Sequence, residues 1–136
     1  MPLVSRKGIL AIAAVLDVAL HSSSRPVSAK ALAARLKLPP RHLEPMLQAL
    51  VRDGILRGVR GPRGGYELAR EHGSISAEDI LRAIGDADDE AHLRLPNSAL
   101  ANHVVKPALN EAERSVSTAL SRLTVEDMAL RAAQLK

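Results

Sequence analysis

The sequence predicts a mainly α-helical fold carrying one β-hairpin, and three observations predict it. Apolar residues recur at helical spacing along most of the chain. The period changes once, over Ile55 to Leu68, where two short apolar runs flank a stretch dense in turn formers. Near the C-terminus, Val105, Leu109, Ala112, Val116, Ala119 and Leu123 follow one another at steps of 4, 3, 4, 3 and 4. That stripe is the narrow seam of a coiled coil rather than the broader face of a globular helix.

Taken in order, helix one spans about Arg6 to Leu20, with apolar residues so dense that burial on most sides is expected. The run His21-Ser22-Ser23-Ser24-Arg25-Pro26 ends it. Helix two opens at Ser28, a good N-cap, and reaches about Arg35. Pro40 suits a first helical turn, so helix three starts near Arg41. Its apolar residues Leu43, Met46, Leu47, Leu50 and Val51 make one face, Pro45 falls early in it, and Asp53-Gly54 closes it. Ile55–Val59 and Gly65–Leu68 are strand candidates around the basic turn Arg60-Gly61-Pro62-Arg63-Gly64. Ser76-Ala77-Glu78-Asp79 reads as a capping box opening a helix that Gly85 ends. Residues 86–98 lack periodicity and read as an acidic loop. The long helix returns from about Ala99 or Asn102, and Pro107 either kinks it or makes Lys106 its effective start. Thr124-Val125-Glu126-Asp127 repeats the capping-box pattern and opens a short last helix.

Length and composition narrow the function. The 136 residues fit one domain, or one domain with an appended helix. With 46% hydrophobic and 25% charged residues the chain can build a core. It holds no cysteine, which excludes a zinc finger, a disulfide scaffold, thiol catalysis and a cysteine-held iron–sulfur cluster. Its one aromatic residue, Tyr66, leaves no stacking platform for single-stranded nucleic acid. The longest apolar run, Ile9–Leu16, is too short to span a bilayer, and no leader pattern is visible, so a soluble cytoplasmic protein is expected. The net charge of +4 is unevenly placed. Residues 1–70 hold twelve Lys or Arg against four Asp or Glu, whereas residues 71–136 hold seven against eleven. The first half, at +8, is suited to an anionic partner, nucleic acid first and a membrane surface next.

A short helix, a tight turn, a helix with a basic N-terminus and a basic hairpin follow one another in the order of a winged helix-turn-helix. Helix three carries Arg41, His42, Glu44, Gln48 and Arg52 opposite its apolar stripe. Arg41 or His42 suits guanine, Gln48 suits adenine, and Glu44 suits the cytosine amine in the major groove. Arg60 and Arg63 at the hairpin tip suit the narrow, strongly negative minor groove, with the glycines around them allowing close backbone approach. Ser28 and Lys30 at the start of helix two complete the expected DNA-contacting set. The predicted fold is thus a winged helix-turn-helix domain with a two-stranded wing, plus a long C-terminal dimerisation helix. The seam needs a partner, and a second copy through Val105, Leu109, Ala112, Val116, Ala119, Leu120 and Leu123 is the simplest one.

Several stretches also resemble a known family. Leu16-Asp17-Val18-Ala19-Leu20, Leu43-Glu44, the wing Arg60-Gly61-Pro62-Arg63-Gly64-Gly65-Tyr66-Glu67-Leu68-Ala69-Arg70 and Ile75-Ser76-Ala77-Glu78-Asp79-Ile80 are similar to the IscR/NsrR-type regulators of the Rrf2 family. The resemblance covers nearly the whole chain, and its wing is the most specific part. It implies a bacterial dimeric winged-helix transcription factor, with Glu44 as the recognition-helix acid and Arg60 as the wing arginine. Arg63 stands where some members have glycine. Many members hold an iron–sulfur cluster on three cysteines and in some cases a histidine. The matching places here are Asp88, Arg94 and Leu100, with His103 at the histidine position, so cluster sensing in the known form is excluded.

Blander readings are weighed beside these. Tyr66 is expected to brace the wing from the core rather than touch bases. Gly64-Gly65 lacks the rest of a phosphate-binding loop. Asp88, Asp89, Glu90, His92 and His103 lack metal-ligand spacing and read as a solvated segment. No catalytic constellation is visible, and neither metal nor cofactor is expected. The expected division is a DNA-binding domain over residues 1–85, a linker over 86–101 and a dimerisation unit over 102–136. The function expected is a homodimeric, sequence-specific regulator, a repressor of a palindromic operator, with double-stranded DNA, a second copy and an unidentified small-molecule effector as partners and no membrane. The alternatives are a winged-helix protein-interaction module, a ligand- or metal-responsive regulator sensing through residues 88–103, and a small enzyme built on that segment.

Overall fold

A computed structural model describes residues 4–85 and 98–135 of the chain. The first helix, α1 (Arg6–His21), is capped by Ser5, whose hydroxyl accepts from the Gly8 N–H at 3.0 Å. Ala11, Ala14, Val15 and Val18 are fully buried on its inner face. Burial on most sides holds for the middle of α1 but not its ends, where Ile9 is 60% and Leu20 43% exposed. The helix carries more apolar surface than its neighbours cover.

Helix α2 (Ala29–Leu36) starts as expected at Ser28, whose hydroxyl accepts from the Ala31 N–H at 3.1 Å. It ends in a Schellman turn: Leu38 N–H donates to the Ala33 carbonyl and Lys37 N–H to the Ala34 carbonyl. Lys37 adopts the left-handed conformation, φ 58°, that this turn usually gives to glycine. Three residues later α3 (Pro40–Arg52) begins, with Pro40 in the first turn where no N–H is missed. Leu43, Met46, Leu47 and Leu50 are buried and Val51 half-buried, the face that their spacing predicts. Pro45 lies on the exposed side, so the Arg41 carbonyl that loses its helical partner faces water. A second Schellman turn closes α3, this time with Gly54 at φ 77°.

Strands β1 (Leu56–Val59) and β2 (Gly65–Leu68) pair antiparallel, with Leu56 opposite Leu68 and Val59 opposite Gly65. Ile55 precedes β1 rather than belonging to it, yet is buried and accepts a bond from the Ala69 N–H at 3.0 Å. On the other side of β2, Tyr66 and Val27 exchange two backbone hydrogen bonds, at 2.7 and 2.8 Å. The hairpin is therefore held to the turn before α2.

Helix α4 (Ala77–Ala83) opens with the full Ser76/Asp79 capping box, and α6 (Val125–Ala132) with the matching Thr124/Asp127 box. Between them, α5 (Lys106–Arg122) follows a π-turn over Ala101–Val105 in which Lys106 N–H donates to the Ala101 carbonyl. The break falls at the start of α5, where Pro107 cannot donate, so the helix begins effectively at Lys106. Of the expected acidic loop, residues 86–97 lie outside the described residues. Ser98 caps the following turn, its hydroxyl accepting from the Ala101 N–H at 3.0 Å.

One apolar cluster joins α1, α2, α3, the wing base and α4, and Val125 from α6 is fully buried in it. Among the described residues no helix is long and apolar enough to cross a membrane.

Candidate nucleic-acid interface

The opposite face of α3 is built by elimination. Once Leu43, Met46, Leu47 and Leu50 point inward, the 3.6-residue period places Arg41, His42, Glu44, Gln48 and Arg52 outward, and all five are exposed. Arg60 and Arg63, at the tip of the hairpin, are exposed as well. Between the two elements runs an open groove lined by Gln48 and Val51 of α3 and by Val59, Arg60 and Tyr66 of the wing. Tyr66 is half-buried at the floor of the wing, packed on the core and bonded through its backbone to Val27, as a bracing residue should be.

The glycines of the wing have a different reason from the expected one. A Cβ at Gly65 would lie 2.3 Å from the Val27 carbonyl oxygen, and one at Gly64 would lie 2.1 Å from the Val59 carbonyl oxygen. Gly64 lets the wing close on its own backbone, and Gly65 lets it lie against the turn before α2. Gly61, at φ 115° with open space around it, is the glycine that turns the tip.

The cations of the basic half divide into two sets. Arg35 forks onto the buried Asp17 carboxylate with two bonds of 2.9 Å. That hydrogen bond holds the Arg35 guanidinium above its ordinary pKa against the opposing effect of desolvation. Arg57 pairs with Glu67 across the strands at 2.6 Å, and Arg70 lies 3.5 Å from Asp79. By contrast Lys30, Arg41, Arg52, Arg60 and Arg63 have no side-chain partner among the described residues, and neither do His42, Glu44 and Gln48. Every cation singled out from the sequence as a DNA contact falls in the unpaired set, which also holds Arg6, Lys7 and Lys37. Ser28 spends an oxygen lone pair on its cap and keeps a hydroxyl proton to donate. Arg25, which the sequence reading passed over, is also exposed and unpartnered, two residues from the Val27 bridge. Its signal in the sequence is a cation beside Pro26, just before the Ser28 cap of α2.

The other predicted set lies along α5. Leu100, Val104, Val105 and Leu109 are 50–72% exposed, and Ala112 and Ala119 are also open. Val116, Leu120 and Leu123 are half-buried on the part of the helix that packs against α4. The stripe thus divides into an open stretch and a stretch partly covered by its own chain.

No group of three or more His, Asp or Glu side chains that could hold a metal occurs among the described residues. Asp88, Asp89, Glu90, His92 and Arg94 lie outside them; Leu100 and His103 are exposed.

Comparisons with known proteins agree with this geometry. The family described as "Rrf2: Iron-dependent Transcriptional regulator" matches residues 4–131. The HTH-type transcriptional regulator IscR of Xenorhabdus nematophila is 37% identical over 83 residues, 61% of this chain and 51% of that protein. The match thus spans about half the length of the curated relatives. Among solved structures, T. potens IscR superposes with a TM-score of 0.79 at 33% identity, covering 98% of this chain and 91% of that one. CymR, the global cysteine regulator of B. subtilis, gives 0.76 at 26% identity, over 94% and 96%. A chain without cysteine, with an exposed leucine at one of the three cluster positions, does not fit a thiolate-held cluster.

Proposed function

The chain belongs to the Rrf2 family of transcriptional regulators, and from that premise we propose that it is a homodimeric repressor that reads a palindromic operator without an iron–sulfur cluster. One observation carries the reading. Among the described residues the cations of α3 and the wing, Arg41, Arg52, Arg60 and Arg63, are left without carboxylate partners, while Arg35, Arg57 and Arg70 beside them are paired.

The physical sequence is as follows. Arg25, Ser28, Lys30 and Arg52 hold phosphates and set the register. Helix α3 enters the major groove, where Arg41 or His42 donates to guanine and Gln48 pairs with adenine. Glu44 accepts from cytosine and repels the acceptors of other bases. The wing carries Arg60 and Arg63 into the neighbouring minor groove. Residues 1–85 form the reading unit, 86–101 the linker and 102–136 the dimerisation unit, in which the open apolar stretch from Val105 to Ala112 meets a second copy. Two reading units related by a twofold axis match two half-sites about one helical turn, or 34–36 Å, apart. Occupancy of such a site across a promoter blocks transcription.

Recovery of DNA from a pool of genomic fragments of the source organism, at 150 mM salt or about that, tests the reading. The full chain is expected to enrich fragments that share one motif with two inverted half-sites. Retention of fragments with no common motif would overturn it.

A further inference from the structure

The dimer proposal leaves open what sets the distance between the two reading units. Beside the half-buried Val116, Leu120 and Leu123, which pack toward α4, two polar contacts tie α5 to its own reading unit. At its C-terminal end, the backbones before α4 and α6 cross as an antiparallel bridge between Ser76 and Thr124. Ala77 N–H donates to the Leu123 carbonyl at 2.7 Å, and Val125 N–H donates to the Ile75 carbonyl at 2.9 Å. Ile75, Ala77 and Val125 are all fully buried, so this joint is fixed in the core. The second contact lies further back along α5, where the Ser117 hydroxyl donates to Glu78 Oε2 at 2.7 Å. Glu78 is itself held from the other side, its Oε1 taking the Arg82 guanidinium one turn along α4.

One attachment point makes a pivot; two fix a direction. Ser117 lies six residues before Leu123, about 9 Å along the helix axis. The helix continues past it to Lys106, about 26 Å from the joint. A tilt of about 10° about Leu123 would move that end by about 4 Å, more than the rise of one base pair, about 3.4 Å. We infer that Ser117 and Glu78 are positioning residues that hold α5 at the angle which sets the half-site spacing the dimer accepts. The inference rests on the proposed homodimer.

The full chain and its Ser117→Ala, Ser117→Thr and Glu78→Ala variants are titrated on the selected operator and on versions with one base pair added or removed between half-sites. The unaltered chain should prefer its own spacing by about tenfold. Ser117→Ala should keep its melting temperature, its dimerisation and its affinity for an isolated half-site, yet discriminate spacings by about threefold or less. Glu78→Ala should relax the same preference, and Ser117→Thr, which keeps the hydroxyl, should restore it. Ser117→Ala decides the matter alone if Glu78→Ala fails to fold. An unchanged spacing profile in Ser117→Ala, or an unaltered dimer indifferent to spacing, overturns the inference and leaves the operator reading intact. An unaltered chain that stays monomeric or selects no operator overturns both.

Discussion

Helices α3 and α5 both lie open along one side, and they leave opposite chemistry uncovered. Helix α3 buries four apolar residues of its thirteen and turns Arg41, His42, Glu44, Gln48 and Arg52 outward. Helix α5 buries none of its seventeen, and Val105 just before it and Leu109 and Ala112 in its N-terminal half are exposed. A face whose cations are left unpaired among the described residues stays soluble alone and gains from an anion. An apolar stripe at seam spacing gains only by removing itself from water. The two faces suit partners of different chemistry, an anion for one and another apolar surface for the other. The difference also shows that charge alone is a poor guide, because Arg35, Arg57 and Arg70 share the basic half and are already satisfied.

The largest effect should come from placing charge on the apolar side of this contrast. Leu109→Glu is expected to give a monomer in sedimentation and to weaken operator binding by about a hundredfold or more, since each half-site must then be held singly. Half-site affinity should stay within about threefold, which separates dimer loss from damage to the reading face. A dimer that survives Leu109→Glu would show that the open stretch of α5 is not the seam.

Asp17→Ala sharpens the other side of the comparison by converting a satisfied cation into an unsatisfied one. Removing the carboxylate leaves Arg35 facing a buried vacancy, and the loss should be about 2 kcal/mol, below the usual 3–5 for a buried pair because Arg35 is half-exposed. Thermal melting should fall by about 4–8 °C, at 2–4 °C per kcal/mol. The salt dependence of DNA binding should stay as it was, because Arg35 is a structural cation.

The smallest effect concerns the cap that anchors the end of α5. The Thr124 backbone N–H, and then its hydroxyl, hold the Asp127 carboxyl below its ordinary pKa. The folded value is the lower one, so this contribution is present above the unfolded carboxylate range and disappears as pH falls through the depressed value. Melting curves taken downward through pH 5 to 3, about the carboxylate range, should show a small acid-side loss that Asp127→Ala already displays at neutral pH. An identical acid profile in both chains would remove Asp127 from the account.

Local patterns were readable from the sequence because their physics is local. The stripe Leu43–Val51, the β2 span, the two capping boxes and the outward set on α3 follow from spacing within one or two turns. What the sequence hid depends on residues far apart. Asp17 follows directly on the apolar run Ile9–Leu16 with no charge of opposite sign nearby in sequence, yet its partner stands eighteen residues on, at Arg35. Gly64 and Gly65 looked like freedom to approach DNA, whereas their crowding comes from Val59 and Val27. Nothing periodic marks Ser76 and Thr124 as a bridge, although each announces its own helix.

The central claim is that the unpaired cations, and not basic charge as such, form the DNA interface. The slope of log affinity against log salt on the selected operator tests it most directly, for the unaltered chain, Arg60→Ala with Arg63→Ala, and Arg57→Ala. Each cation withdrawn from the field of the phosphates, in the minor groove as on the backbone, lowers the slope by about one. The account predicts a slope smaller by about two in the wing double variant, and an unchanged slope in Arg57→Ala, whose guanidinium Glu67 already holds. Equal slopes in all three chains, or a loss in Arg57→Ala as large as in the double variant, would contradict it.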